Sequence, residues 1–82
     1  MLRTFYHFSS TEIEKATGLP WEDYTLPEYG DEGSFEFAIG KEIAEELEEE
    51  GDAIRAAVVR YIISQFDKEG IEIPVSVFID PY

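Results

Sequence analysis

The sequence predicts a small α+β domain in which one antiparallel or mixed sheet of about three strands packs against a single long helix, with two shorter helices beside it, in the order β-α-β-α-α-β. Three observations carry this reading. Residues 35–39 and 71–79 alternate apolar with polar side chains, Ala53 to Glu69 hold an unbroken helical pattern, and glycine, proline and serine punctuate the segments between. The chain reads as one acidic domain, 1–82, with no internal repeat or linker.

Residues 2–8 are rich in aromatic and β-branched types and read as the first strand, bounded by Ser9 and Ser10. A short helix follows: Ser9 with Glu12, and Thr11 with Glu14, fit the S/T-x-x-E capping box, and Gly18 stands where a left-handed cap ends the helix before Pro20. Pro20, Pro27, Gly30 and Gly33 make 19–34 a loop, with a short extended piece at 24–26. In the next strand Phe35, Phe37 and Ile39 point one way, Glu36 and Ala38 the other. After Gly40, residues 41–50 are good helix formers whose only large apolar side chains are Ile43 and Leu47, which places this helix on the surface. Gly51 ends it and Asp52 caps the long helix, whose core face is Ile54, Val58, Tyr61, Ile62 and Phe66 or Gln65, widened by Val59 and Ile63. Beyond Gly70, Ile71, Ile73, Val75, Val77 and Ile79 alternate with Glu72, Pro74, Ser76 and Phe78. Pro74 has no amide proton to give a ladder, so this strand is expected to keep a free edge or a bulge.

With 44% hydrophobic and 15% aromatic residues the chain is too apolar for intrinsic disorder. It has no cysteine and one histidine, so neither disulfides nor zinc are expected to support its core. No apolar run approaches the roughly 20 residues that span a bilayer, and no apolar signal region follows Arg3; a soluble, cytoplasmic protein is expected, in the host cytoplasm if phage-encoded. No cofactor is expected. Residues 31–36 offer oxygen ligands without the register of a calcium loop, no glycine-rich phosphate loop exists, and no spacing places His7 in a serine-histidine-acid triad. The expected protein is not an enzyme.

Charge is the most informative feature. Between Glu22 and Asp52 thirteen acids face one base, Lys41, so that stretch holds −12 of the net −13. Six carboxylates, Glu42, Glu45, Glu46, Glu48, Glu49 and Glu50, fall within nine residues of helix, one per roughly 2.2 Å of axis against ~1.7 Å per charge in duplex DNA. Glu42, Glu45, Glu46, Glu49 and Glu50 follow i, i+3 and i+4 steps and share a face, at a cost of a few tenths of a kcal/mol per like-charged pair. Glu22, Asp23, Glu28, Asp31 and Glu32 extend the pattern, and Trp21, Tyr24 and Tyr29 stand near the acids as candidate aromatic anchors, although a small domain also needs its aromatics for core. An ordinary solvated helix would interleave bases at i+4, yet the next base after Lys41 is Arg55.

The expected partner is therefore a basic nucleic-acid-binding protein, a nuclease, restriction enzyme or CRISPR effector; direct nucleic-acid binding is opposed by the chain's own charge. In size and charge the chain resembles the small phage- or plasmid-encoded DNA-mimic inhibitors, anti-restriction and anti-CRISPR proteins among them, which implies that it blocks a nucleic-acid channel. An immunity protein or antitoxin against a nuclease toxin would use the same physics. A structural module that dimerises through its last strand or long helix is the alternative of another class. Tyr6-His7-Phe8-Ser9-Ser10 resembles the strand-end segment of some ADP-ribosyltransferases, which implies a nicotinamide contact for His7 and a further role for Glu36; on the residues alone, His7 is half exposed on a strand while Ser9 and Ser10 begin a helix.

Overall fold

The computed structural model describes residues 6–24 and 35–81. β1 (His7–Ser9) passes into α1 (Ser10–Thr17) without a loop, because Ser9 is still extended while its hydroxyl accepts the Thr11 N–H at 3.2 Å. Gly18 closes α1 at φ 78° with its N–H on the Glu14 carbonyl, 2.7 Å away. A single helical turn follows, α2 (Trp21–Tyr24), where a loop was expected. Pro20 lacks an N–H but still offers a carbonyl, which accepts from Asp23 N at 3.0 Å, and Glu22 and Asp23 sit favourably at the positive end of the turn. The extended piece expected at 24–26 thus loses Tyr24 to this turn, and its remaining residues lie outside those described.

β2 (Phe35–Ala38) is followed by Gly40, whose φ of 146° favours glycine as the chain turns into α3 (Lys41–Glu49). Gly51 and Asp52 reverse the chain, their N–H groups bonding Glu48 and Leu47 carbonyls at 3.1 and 2.8 Å. Asp52 caps α4 (Ala53–Glu69) by accepting from Arg55 N at 3.1 Å, and Gly70 ends it in the left-handed region. β3 (Ser76–Asp80) completes a three-stranded mixed sheet of order β1-β3-β2, parallel to β1 and antiparallel to β2, with His7 opposite Phe78 and Phe37 opposite Val77.

Two expectations need correction here. Pro74 does not mark a free edge of β3, which is the central strand, paired on both sides; Pro74 precedes it, where no ladder proton is required. The alternation read from 71 onward survives only in β3, since Ile71 is exposed and Val75 is 83% exposed. Only the carbonyl of Val75 joins the sheet, accepting from Ile39 N at 3.0 Å.

One face of the sheet, carrying Phe37, Ile39, Val77 and Ile79, joins Val58, Val59, Ile62, Ile63 and Phe66 of α4, Ile13 of α1, Tyr24 of α2 and Ala44 of α3 in a single buried cluster. Each fully buried Val or Ile contributes about 1.5–3 kcal/mol relative to exposure. Ile54 is not part of this face: it lies in the first turn of α4 and is exposed. The other sheet face stays open, with Glu36, Ala38 and His7 exposed beside a half-buried Phe78.

Tyr24 was expected near the surface as a partner anchor, but it is 1% exposed, with its ring edge-on to Trp21 and Phe37 at 6.1 and 6.3 Å. Its hydroxyl has no hydrogen-bond partner among the described residues. Burial, helped by Glu14 and Glu22, pushes the phenol from 10.0 up to about 12. A raised acid pKa means that the fold prefers the neutral ring, so its contribution is intact below pH 10 and is lost as pH rises toward 12. Tyr24→Phe should therefore raise stability at pH 7 by about 1 kcal/mol, by removing an unpaired buried hydroxyl, and flatten the loss of stability between pH 10 and 12. Denaturant unfolding at stepped pH reads both effects.

Candidate functional site

α3 sits on α4 by a narrow apolar seam: Ala44 is buried, while Ile43 and Leu47 are half-buried against the core. The 3.6-residue period then sends Glu42, Glu45, Glu46 and Glu49 away from that seam, and all four are exposed, as is Glu50 at the C-terminal cap. None of these five carboxylates makes an ion pair among the described residues. The face anticipated from spacing is thus formed as one continuous exposed flank.

Glu48 behaves differently. It leans along the flank toward α4 and receives a two-pronged bond from Arg60, Nε to Oε2 at 3.0 Å and Nη2 to Oε1 at 2.9 Å. The Arg60 hydrogen bond, more than its charge, holds the Glu48 carboxyl below its ordinary range. The pair answers a local difficulty: Glu48, Glu49 and Glu50 crowd the C-terminal end of α3, where the helix dipole is already negative and no base stands in the last turn. Arg60 supplies from the neighbouring helix the cation that the last turn of α3 lacks, and Glu45 also lies within its field.

α2 packs on α4 and α1, and Glu22 lies with Glu14 of α1 in the field of the Tyr24 phenol. Arg55 donates from Nε to the Tyr24 carbonyl at 3.2 Å and pairs with Asp52 Oδ2 at 3.7 Å, tying the end of α2 to the turn that follows α3. Glu22 and Asp23 are exposed on α2, and Trp21 is half-buried against the core. Of the remaining candidates, Glu28, Tyr29, Asp31 and Glu32 lie outside the described residues. Tyr24 has only its backbone carbonyl to offer, already engaged by Arg55.

Sequence reasoning missed the polar pairs of the open sheet face. His7 Nδ1 stands 3.1 Å from Asp80 Oδ1, the His7 ring stacks on Phe78 at 5.4 Å, and Ser76 Oγ donates to Glu36. The parallel β1–β3 pairing brings His7 and Asp80 together across 73 positions, and only that register would have revealed them. His7 is exposed on β1, while Ser9 caps α1 and Ser10 is its first residue. Among the described residues no group of three His, Cys, Asp or Glu side chains is arranged to hold a metal ion, and no helix is long and apolar enough to cross a membrane.

Comparison of the chain with protein-family models, with curated proteins and with solved structures gave no significant match. The geometry of α3 and its surroundings therefore carries the functional reading.

Crowded carboxylates repel most at low ionic strength, so the melting temperature should rise from 20 mM to 500 mM NaCl, conditions between which screening shortens from about 20 Å to a few ångströms. Arg60→Gln should lower the melting temperature at low salt and lose most of that deficit at high salt. Calorimetry across the salt series measures both, and a deficit unchanged by salt would mean that Arg60 acts by packing rather than by charge.

Proposed function

We propose that this protein is an acidic inhibitor that presents α3 to a basic nucleic-acid-binding protein and occupies the groove in which that protein holds phosphates. One observation carries the reading: Glu42, Glu45, Glu46, Glu49 and Glu50 are exposed together and none makes an ion pair among the described residues, on a helix whose apolar seam is already committed to α4. Arranging carboxylates at i, i+3 and i+4 costs helix stability, and the cost is greatest at the C-terminal end. A partner's Lys and Arg side chains would remove that cost on binding. Their charge density matches what such side chains meet along a polyphosphate, and the summed field would steer encounter from beyond contact distance.

Glu22 and Asp23 add exposed carboxylates on α2, beside the half-buried Trp21. Restriction enzymes, CRISPR effectors and nuclease toxins all offer cationic grooves of the required kind, so anti-restriction, anti-CRISPR and immunity or antitoxin roles are versions of one mechanism. Steering of this type predicts association that slows as salt is added, with dissociation less affected.

The test replaces Glu45, Glu46, Glu49 and Glu50 by Gln together. The variant should fold, with a melting temperature at or above that of the parent at low salt, and should lose the partner that the parent captures from host lysate. Duplex DNA should displace the parent from that partner. Recovery of the same partner by the four-Gln variant would exclude α3 as the site, and failure of DNA to compete would exclude mimicry. Sedimentation of the parent adds a third check, because a tight dimer that covers α3 would leave no face to present.

A further inference from the structure

A concavity of about 290 Å³ lies where β1, the first turn of α1 and the last turn of α4 meet. Its wall is aromatic: Tyr6 meets Phe66 edge-on at 4.8 Å, and Phe8 meets it at 5.8 Å. Ile71, exposed just past the Gly70 cap, also lines it. The polar part of the lining is Glu12 from the first turn of α1, Glu69 from the end of α4, Gln65 and His7, whose Nδ1 is engaged by Asp80 at 3.1 Å. Glu12 and Glu69 are both exposed, neither makes an ion pair among the described residues, and no lysine or arginine is in the described lining. The C-terminal end of the α4 dipole adds negative potential at the same place.

Ring faces attract cations through their quadrupole, and two carboxylates with a helix C-terminus beside them add to that attraction and oppose an anion. The aromatic wall beside the carboxylates can discriminate between cations by stacking. A guanidinium is planar, more weakly hydrated than an ammonium, and able to stack on a ring while its edge donates to a carboxylate. We infer that this concavity binds a guanidinium group, stacked on the aromatic wall formed by Tyr6 and Phe8 and held at its edge by Glu12 and Glu69. The site shares no residue with α3 and stands or falls apart from the inhibitory reading.

The experiment titrates the full chain at 150 mM NaCl with agmatine, n-butylammonium, butyrate and a blocked Gly-Arg-Gly peptide, followed by two-dimensional NMR. Agmatine should shift Tyr6, Phe8, Phe66 and Ile71 resonances along a saturable curve, more tightly than n-butylammonium, with butyrate inert. Glu12→Gln and Glu69→Gln, both surface changes that leave the remaining spectrum in place, should each weaken agmatine by about threefold. The four-Gln variant of α3 should bind it unchanged. Equal binding of the peptide identifies an arginine side chain as the physiological form, and binding of agmatine alone identifies a free guanidine; either supports the site. Non-saturating shifts, shifts centred on α3, or affinity unchanged in both Glu12→Gln and Glu69→Gln would overturn it.

Discussion

The apolar layer between α4 and the sheet holds the other elements in register, because Val58, Val59, Ile62, Ile63 and Phe66 meet Phe37, Val77 and Ile79 in one cluster to which α1, α2 and α3 each add a single fully buried side chain. With so thin a core, an element can be attached by very little. α3 seats on α4 through Ala44, flanked by Ile43 and Leu47, and the rest of its circumference is left to the solvent. Among the described residues, the same economy leaves one face of the sheet uncovered by helices. An 82-residue chain buries only about 60% of the surface its unfolded form exposes, so broad exposed faces follow from size as much as from function.

What separates α3 from any other exposed helix is where its charge is opposed and where it is not. Arg60 reaches across to Glu48 and Arg55 to Asp52, so the bases of α4 neutralise the inner edge of the acidic run and the turn below it. The outer row receives nothing comparable among the described residues. The internal bases therefore act as supports that let α3 form and keep its orientation, while the outward potential remains strongly negative. Full internal neutralisation would have given a more stable helix with no surface to offer.

Much of this architecture was legible from residue pattern alone. Ser9, Gly18, Asp52 and Gly70 marked helix ends because capping chemistry is local, and the Ala53–Glu69 helix falls where its period placed it. The exposed row on α3 followed from i, i+3, i+4 spacing for the same reason. Features that depend on distant partners were not legible. Arg60 neutralises Glu48 from twelve positions away, so a search for bases at i+4 could not find it. Val75 continues an alternation that reads as strand, yet pairing with β2 begins only at Ser76 and with β1 only at Phe78, and an alternating pattern cannot say where its partners stop. Trp21 to Tyr24 lie among prolines and glycines, but the single turn they make is fastened by the burial of Tyr24, a tertiary event.

The central position of β3 carries a consequence for how the chain acquires its shape. β1 and β2 do not pair with each other; each pairs only with β3, which follows the other described elements in the chain. The α3–α4 hairpin is built from near neighbours in sequence and can close while translation continues, but no rung of the sheet exists until residues 76–80 are available to thread between two strands made earlier. Until then the apolar side of α4 lacks the cover that Val77 and Ile79 give it, and the net charge of −13 opposes the approach of one copy to the next.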